Sequence, residues 1–208
     1  MKYSVQMPYI HRPQHLNNTL VSYRHWYGSR DDVEILIAVD PKNSAKERHK
    51  MYRQLDKFKD TLNIRVFEVP DNKTWESSIS RNFLAKQARG EYLVLTSPEI
   101  FHLTDVFAGF DRILERNPNA YAMAACESSK TFPVPVTQFT SFSYNHHMWY
   151  QHSEHRNFGY HFCTCIKLDT YWEIGGFCEE FMHGICYDDD DFVDRVRFHG
   201  LEMVANDR

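Results

Sequence analysis

The sequence predicts an α/β fold in which a central, mostly parallel β-sheet is flanked by helices. Short apolar runs rich in β-forming residues alternate with stretches whose apolar residues recur at helical spacing. Four such alternations follow one another from the N-terminus. Hydrophobic residues make up 42% of the chain and aromatic residues 15%, enough bulky side chains to offset the entropy of ordering. At 208 residues, one domain with a full core is the expected organisation.

The individual elements follow from these patterns. Strands are predicted at residues 3–9, 34–40, 64–69, 92–95, 120–126 and 161–168. Helices are predicted at about residues 16–27, 45–58, 75–90, 106–114 and 188–199, the third with Trp75, Ile79 and Phe83 on one face. Residues 127–160 lose this periodicity and are rich in aromatic, hydroxyl and histidine side chains, including His146 and His147. A loop of this length in a compact domain is usually functional or mobile.

Charge and composition exclude several classes of protein. A net charge of −4 and a pI near 6.3 provide no broad basic surface for a phosphate backbone, so nucleic acid is not an expected partner. No stretch has the apolar length of a membrane span, and residues 1–9 lack the apolar core of a signal peptide. Five cysteines in no spaced framework indicate a reducing compartment, and we expect a cytoplasmic protein.

Acidic residues follow two of the predicted strands. Asp40 ends one strand, and Ser97 and Glu99 come directly after another. Ligands of parallel sheets bind beyond the carboxyl ends of the strands, and the oxygens of Ser97 and Glu99 could face one hard cation. The alternatives are that Asp40 only begins a turn before Pro41, and that Glu99 is a solvated residue in a Ser-Pro turn.

Four consecutive aspartates, Asp188 to Asp191, form what we call the acidic run. Adjacent carboxylates repel one another, so a cation or dipole is expected to offset their charge. Gly175 and Gly176 lie upstream and indicate close approach of the backbone, a combination typical of a sugar-binding and base-catalytic site. The alternative is an acidic first turn of the last helix, with Asp191 placed for an ion pair with Arg195.

The cysteines allow one further interpretation. Cys163, Cys165, Cys178 and Cys186 with His183 have ligand types that bind zinc, but in no standard spacing. Residues two apart on a strand share one face, so packed core thiols are the simpler interpretation of the first two. His146 and His147 could contact an acceptor, although a solvated loop is the simpler expectation for this pair.

In its N-terminal half the chain resembles family 2 glycosyltransferases and their GT-A relatives, which are Rossmann-like single domains. Residues 7–12, Met-Pro-Tyr-Ile-His-Arg, resemble the opening turn of that family, and Ser-Arg-Asn followed by Arg-Gly-Glu-Tyr resembles its Ala-Arg-Asn helix and following strand. The resemblance implies a nucleotide-sugar donor site. Its members would be Pro8, Tyr9, Asp40, Arg81, Asn82 and Ser97. The Asp-x-Asp motif that holds metal in the family falls on Ser-Pro-Glu, which leaves Glu99 as the metal ligand.

In its C-terminal half the chain is similar to galactosyltransferases and polypeptide N-acetylgalactosaminyltransferases. Gly-Gly-Phe at 175–177 and Asp-Asp-Asp-Asp with a following Arg resemble their Gly-Gly-Phe and Gly-Glu-Asp-Asp-Asp motifs. The similarity implies that Asp189 is the catalytic base. It also implies that Asp188, with Gly175 and Gly176, holds hydroxyls of the acceptor or of the donor sugar.

Together these resemblances imply transfer of a sugar from a nucleotide-diphosphate sugar, expected to be a UDP-sugar, to a carbohydrate or other hydroxyl acceptor. Inversion and a divalent metal, Mn²⁺ or Mg²⁺, are implied in the same way. Residues 1–208 would be the catalytic domain, with a nucleotide-binding half at about 1–100 and an acceptor and catalytic half at about 101–208. Relatives carry a further metal ligand beyond the last helix, so either that ligand is absent or the sequence is a truncated catalytic domain.

Two other functions remain open from the sequence. A degenerate transferase could bind a sugar or nucleotide without turnover, and Ser97 in the metal motif favours that interpretation. A sugar nucleotidyltransferase would use a similar fold, but it is expected to have a glycine-rich basic loop near the N-terminus. Residues 8–16 contain no glycine.

Overall fold

The structure is a computed structural model that describes residues 1–70, 77–128, 149–183 and 187–207. Within these ranges the chain forms nine strands and six α-helices, and a short 3₁₀ helix at Glu179–His183. The strands are β1 (Tyr3–Tyr9), β2 (Val33–Val39), β3 (Ile64–Glu68), β4 (Tyr92–Thr96), β5 (Tyr121–Ala124), β6 (Cys126–Glu127), β7 (Trp149–Gln151), β8 (Cys163–Lys167) and β9 (Met203–Asn206).

The helices are α1 (Pro13–Tyr27), α2 (Ala45–Leu55), α3 (Ser77–Gln87), α4 (Val106–Arg116), α5 (Leu168–Glu173) and α6 (Asp188–Phe198). Local chemistry explains several of their ends. Ser44 and Glu47 form a capping box at the start of α2, and Asp105 accepts a hydrogen bond from the Ala108 amide at the start of α4. Gly200, with φ of 76°, follows the end of α6 as predicted. Within the described ranges, none of the helices has the length and apolar character needed to cross a membrane.

Seven strands form the central sheet in the order β3-β2-β1-β4-β8-β5-β9. Neighbours on the β3-β2-β1-β4 side are all parallel, and β5 and β9 are parallel to each other. β8 runs antiparallel to both β4 and β5. The predicted α/β class with a mostly parallel sheet flanked by helices is confirmed.

The sheet buries apolar side chains on both faces. Alternate residues of β1, β2 and β4 pack against α1, α2 and α4 in one cluster, which includes Val5, Ile37 and Val94. Leu93 and Leu95, which alternate with Val94, pack on the opposite face with residues of α3, α5 and α6. This burial on both sides explains the nearly continuous apolar sequences of β2 and β4, whereas β1 has the buried polar residues Ser4 and Gln6 on its second face.

The structure corrects four details of the predicted elements. The strand predicted at 161–168 is antiparallel to its neighbours, and β9 was not predicted at all. α5 is a distinct helix directly after β8. The predicted irregular segment 127–160 contains part of a short antiparallel pair, β6 with β7. Trp75, the two histidines at 146 and 147, and most of that segment lie outside the described residues.

Candidate functional site

A pocket of about 160 Å³, lined by both charged and apolar residues, lies beyond the carboxyl ends of β1 and β4. The residues that line it include Pro8, Arg12, Ser77, Arg81, Ser97 and Glu99. Four of these residues, Pro8, Arg81, Ser97 and Glu99, were predicted from strand ends or from the resemblance, and the structure brings them together. Because two guanidinium groups contribute to its wall, we call it the arginine pocket.

Arg81 is almost fully buried, with 1% of its surface exposed. Its Nε donates to Ser77 Oγ at 3.2 Å and its Nη1 donates to the Thr96 carbonyl at 3.2 Å. Among the described residues it makes no ion pair with a carboxylate. Burial lowers the pKa of Arg81, and the charges of Asp189 and other acids oppose this shift. A buried cation without a direct counter-ion is a favourable place for an anionic ligand.

Arg12 and Glu99 face each other at the mouth of the arginine pocket. Arg12 Nη1 contacts Glu99 Oε1 directly. The Arg12 side chain is 51% exposed and that of Glu99 35%, so solvent and ligands can reach the pair. Arg12 directly precedes Pro13, the first residue of α1, so the positive end of that helix dipole lies at the same place.

The side chains at Glu99 do not by themselves fit a divalent cation. Mg²⁺ and Mn²⁺ take about six oxygen ligands, usually with carboxylates among them. Glu99 is the one carboxylate of the described residues that lines this pocket, and it already contacts a guanidinium. No group of three or more histidine, cysteine or acidic side chains suited to a metal ion occurs in the described part of the chain.

Each carboxylate of the acidic run has its own partner. All four aspartates lie in the first turn of α6, where the helix dipole offsets negative charge. The partners are Ser78 for Asp188, His161 for Asp189, the Tyr160 hydroxyl for Asp190 and Arg195 for Asp191. The Ser78 bond is long at 3.4 Å, whereas Arg195 Nη2 lies 2.5 Å from Asp191. The ion pair expected from an acidic first turn is therefore present, alongside a set of specific contacts at the other three positions.

His161 is the partner that the sequence did not reveal. Its Nδ1 contacts Asp189 Oδ1, and the two side chains are 15% and 22% exposed. Burial lowers the pKa of His161, Arg81 adds to this shift, and Asp189 opposes it. The neutral imidazole is therefore favoured. Asp189 also acts on the charge of Arg81, which in turn lines the arginine pocket, so the acidic run and the pocket are electrostatic neighbours.

Asn82 holds the Gly-Gly-Phe loop. Its Nδ2 donates to the Phe177 carbonyl at 2.8 Å and to Glu179 at 2.9 Å, and its Oδ1 accepts from the Phe177 amide at 2.9 Å and from the Tyr171 hydroxyl at 2.7 Å. All hydrogen-bonding positions of the amide are thus filled by the protein. In this structure Asn82 positions the loop, and the donor contact expected for it stays a prediction.

The two loop glycines are required by conformation and by space. Gly175 has φ of 92° and Gly176 φ of 63°, values that side chains disfavour. A Cβ on Gly176 would lie 2.7 Å from Asn82 Oδ1. Arg195 fixes the same loop from α6, since its Nη1 donates to the carbonyls of Ile174 and Gly176, each at 2.6 Å. The loop is therefore held rigidly beside the acidic run.

The remaining predicted residues lie near the pocket in different roles. Asp40 is 3% exposed, and its Oδ1 accepts from the Lys42 amide at 2.6 Å, which agrees with the alternative interpretation as a turn residue. Tyr9 points into the core, and its buried hydroxyl has no partner among the described residues. The donor contacts predicted for these two residues stay predictions.

Two of the cysteines, Cys163 and Cys165, agree with the interpretation as packed core thiols. Cys163 and Cys165 are buried in β8, and burial raises the pKa of both thiols. Cys186 and the side chain of His183 lie outside the described residues.

Sequence reasoning missed three side chains of this region: Arg12, Tyr160 and His161. Arg12 belongs to the opening turn at residues 7–12. In the sequence it helped to recognise that motif but was given no role of its own. The other two precede β8, and their partners lie about 30 positions further along the chain. No local pattern links residues so far apart, and only their place at the start of a predicted strand could have drawn attention to them.

Comparison with known proteins gives matches in structure alone. No protein-family model matches the chain, and no curated protein sequence matches it. Residues 1–349 of Staphylococcus aureus TarS share its fold with a TM-score of 0.74 at 14% identity, over 99% of this chain and 58% of that one. The same fragment is known in complex with UDP-GlcNAc. The mannosyltransferase PcManGT from Pyrobaculum calidifontis, in complex with GDP-Man and Mn²⁺, matches with a TM-score of 0.70 at 12% identity, over 99% and 55% of the two chains.

A third structure is a weaker match. 4-Diphosphocytidyl-2C-methyl-D-erythritol synthase from Anaerococcus prevotii has a TM-score of 0.57 at 11% identity, over 99% of this chain and 89% of that one. The chain spans 58% of the TarS fragment, 35% of the longer TarS structure and 55% of PcManGT. At these identities the likeness establishes the fold, which is that of GT-A glycosyltransferases.

Proposed function

We propose that this chain is a glycosyltransferase that moves a sugar from a nucleoside-diphosphate sugar, such as a UDP-sugar, to an acceptor hydroxyl. The observation that carries the proposal is that helix α3 connects two chemical groups at one edge of the sheet. Its residues Ser77 and Arg81 line the arginine pocket, suited to phosphates, and Ser78 of the same helix donates a hydrogen bond to Asp188 Oδ2, next to Asp189, at 3.4 Å. A phosphate site next to a carboxylate base is the arrangement that glycosyl transfer requires.

In the proposed reaction Asp189 acts as the general base. Its carboxylate accepts the proton of the acceptor hydroxyl while that oxygen forms a bond to the anomeric carbon. The bond from that carbon to the diphosphate breaks, and the electron pair leaves with the diphosphate, whose charge Arg81 stabilises. Attack opposite the leaving group inverts the anomeric configuration. We assign no step to a metal ion, because the described donor set at Glu99 does not fit one.

The positions of the arginine pocket and the acidic run in the sequence support separate roles for the two halves of the chain. The residues that line the arginine pocket lie between positions 8 and 99, and the acidic run lies at 188–191. We therefore assign donor binding to about residues 1–100 and acceptor binding and catalysis to about residues 101–208. The rigid Gly-Gly-Phe loop would bring Gly175 and Asp188 against the sugar hydroxyls.

The nucleotidyltransferase alternative has less support. Its structural match has the lower TM-score, 0.57 against 0.74, and the turn after β1 has no glycine-rich phosphate loop. That function predicts tight binding of a nucleoside triphosphate.

Thermal unfolding against a panel of nucleotides tests the proposal. UDP, GDP, UTP, CTP and inorganic phosphate should each be added at increasing concentration, because a ligand of the folded state raises its stability by about 2.7 kcal/mol at 100 times Kd. We expect a diphosphate nucleotide to raise Tm, and Arg81→Met to remove that shift. Arg53→Met, the same change on the exposed side of α2, is the matched control and should leave the shift unchanged. A shift with triphosphates alone would contradict the proposal.

A further inference from the structure

We propose that the arginine pocket holds the donor diphosphate between the guanidinium groups of Arg12 and Arg81, without a divalent cation. This inference rests on the proposed function and concerns the same site. It departs from the metal at Glu99 that the sequence resemblance implies. Three observations support it: the charges in the pocket, the pairing of Glu99, and the access to each arginine.

The first observation is the sign of the charge that lines the pocket. Arg12 and Arg81 contribute two positive charges and Glu99 one negative charge, a balance that attracts a diphosphate. Asp188 and Asp189 also act on the charge of Arg81, but neither lines the pocket. A divalent cation placed at Glu99 would lie beside two guanidinium groups and be repelled by both.

The second observation is that Glu99 already has a cationic partner. Its Oε1 contacts Arg12 Nη1, so a metal ion would have to displace the guanidinium from the carboxylate. Ser97 stands where a second carboxylate would complete the usual metal motif, and a neutral hydroxyl is a weaker ligand for a hard cation. In this arrangement Glu99 serves to orient Arg12 across the mouth of the pocket.

The third observation is that the two arginines differ in their exposure to solvent, since Arg81 is buried and Arg12 lies at the mouth of the pocket. Arg81 is buried where it lines the pocket and is held by hydrogen bonds to Ser77 and Thr96, and it has donor hydrogens beyond those two bonds. Arg12 is about half exposed, and its contact with Glu99 uses one nitrogen of the fork. Since a guanidinium has five donor hydrogens in a planar fork, Arg12 can contact the carboxylate and a phosphate oxygen together.

Two variants give opposite expectations for the two ways of holding the diphosphate. If Glu99 ligates a metal, Glu99→Gln weakens nucleotide binding. If the arginines hold the diphosphate, Glu99→Gln removes a negative charge from beside the phosphates and leaves binding equal or tighter. Arg12→Gln then weakens binding about tenfold or more, because it removes a charge-assisted hydrogen bond. Arg12→Lys keeps the charge and should retain part of the affinity.

The experiment is titration calorimetry of the full chain with UDP and with GDP, once in EDTA and once in Mn²⁺. The native protein and the Arg12→Gln, Arg12→Lys and Glu99→Gln variants are compared, with thermal unfolding as a check of folding. We expect a nucleotide to bind in EDTA, with affinity lowered by Arg12→Gln and not by Glu99→Gln.

Other results separate failure of this inference from failure of the proposed function. Binding that requires Mn²⁺ and is lost in Glu99→Gln would overturn the arginine-held diphosphate and leave a metal-dependent transferase. Binding in EDTA that Arg12→Gln leaves unchanged would also overturn it. If neither nucleotide binds under either condition, the proposed function itself is wrong, and this inference falls with it.

Discussion

His161 Nδ1 contacts Asp189 Oδ1, and neither atom has another hydrogen-bond partner among the described residues. An imidazole nitrogen and a carboxylate oxygen repel each other unless a proton lies between them, so Nδ1 carries the proton. The pair joins the segment before β8 to the first turn of α6. The contact fixes the direction of the Asp189 carboxylate, and we regard His161 as a positioning residue for the proposed base.

Substitution of His161 should change turnover more than donor binding. Asn places an amide N–H near the position of Nδ1, whereas Leu has similar bulk and no donor. We expect His161→Leu to lower kcat about 10- to 100-fold, the cost of a misdirected base, with little change in KM for the donor. His161→Asn should recover most of that loss. Equal activity of the two variants would show that the contact has no role in orienting Asp189.

The packing of Gly176 against Asn82 predicts a stability difference between two glycine variants. Both Gly176 and Gly200 have positive φ, 63° and 76°, so alanine is strained by about 1–2 kcal/mol at each. A Cβ at Gly200 meets nothing within 4 Å, whereas a Cβ at Gly176 meets Asn82 Oδ1 at 2.7 Å.

Gly176→Ala should therefore lower the free energy of unfolding by about 1–3 kcal/mol more than Gly200→Ala. Urea denaturation of both variants measures this difference, with Gly200→Ala as the control for backbone strain. Equal losses would mean that Asn82 and the loop adjust easily, contrary to the rigid loop described above.

Stability should fall as the pH is lowered below the ordinary pKa of histidine. Burial lowers the pKa of His102 to about 3, against about 6.5 in an unfolded chain. Between these values the unfolded state binds more protons, so stability present above pH 6.5 is lost as the pH falls. For this group alone the loss between pH 6.5 and 5 is about 1.6 kcal/mol. The lowered pKa of His161 acts in the same direction.

The measurement is the free energy of unfolding at pH 8, 7 and 5 for the native protein and for His102→Asn. Asn can keep a hydrogen bond to the Tyr27 hydroxyl, which lies 2.6 Å from His102 Nδ1. We expect the variant to be less stable at every pH but to lose less between pH 7 and 5. The interval from pH 8 to 7 is an internal control, because His102 is mostly neutral in both states there and changes the stability by less than about 0.2 kcal/mol. An unchanged slope below pH 7 would contradict the assignment.

The sequence was informative wherever the environment of an element is uniform. β2 and β4 are buried on both faces, so their residues form nearly continuous apolar runs that need no partner to be recognised. The direction of β8 was not predictable, since a strand's own residues do not record whether its neighbours are parallel. β9 was not predicted because its four residues are all half-buried and have a weak β-strand pattern.

The candidate site also contains some residues that the sequence indicated and others that only the structure revealed. Glu99 and the acidic run stand out because strand ends and helix starts bring ligands and charges together, whereas Arg81 was indicated by the family resemblance. The pairing of Arg12 with Glu99 spans 87 positions, and that of His161 with Asp189 spans 28, so both depend on tertiary packing. Only the three-dimensional structure shows that Asn82 binds the backbone of the Gly-Gly-Phe loop and that Gly176 packs against Asn82.

Transfer itself tests the central claim, with Asp189→Asn as the decisive variant. Asp194→Asn makes the same chemical change on an exposed side chain of α6 and serves as the control. Release of nucleoside diphosphate should be followed for a panel of UDP- and GDP-sugars with simple hydroxyl acceptors. We expect turnover by the native chain and Asp194→Asn, and a loss of about 10²- to 10⁴-fold in Asp189→Asn with nucleotide binding retained. Turnover that survives in Asp189→Asn would contradict its role as the base, and a native chain that binds the nucleotide but transfers no sugar would identify a non-catalytic binding protein.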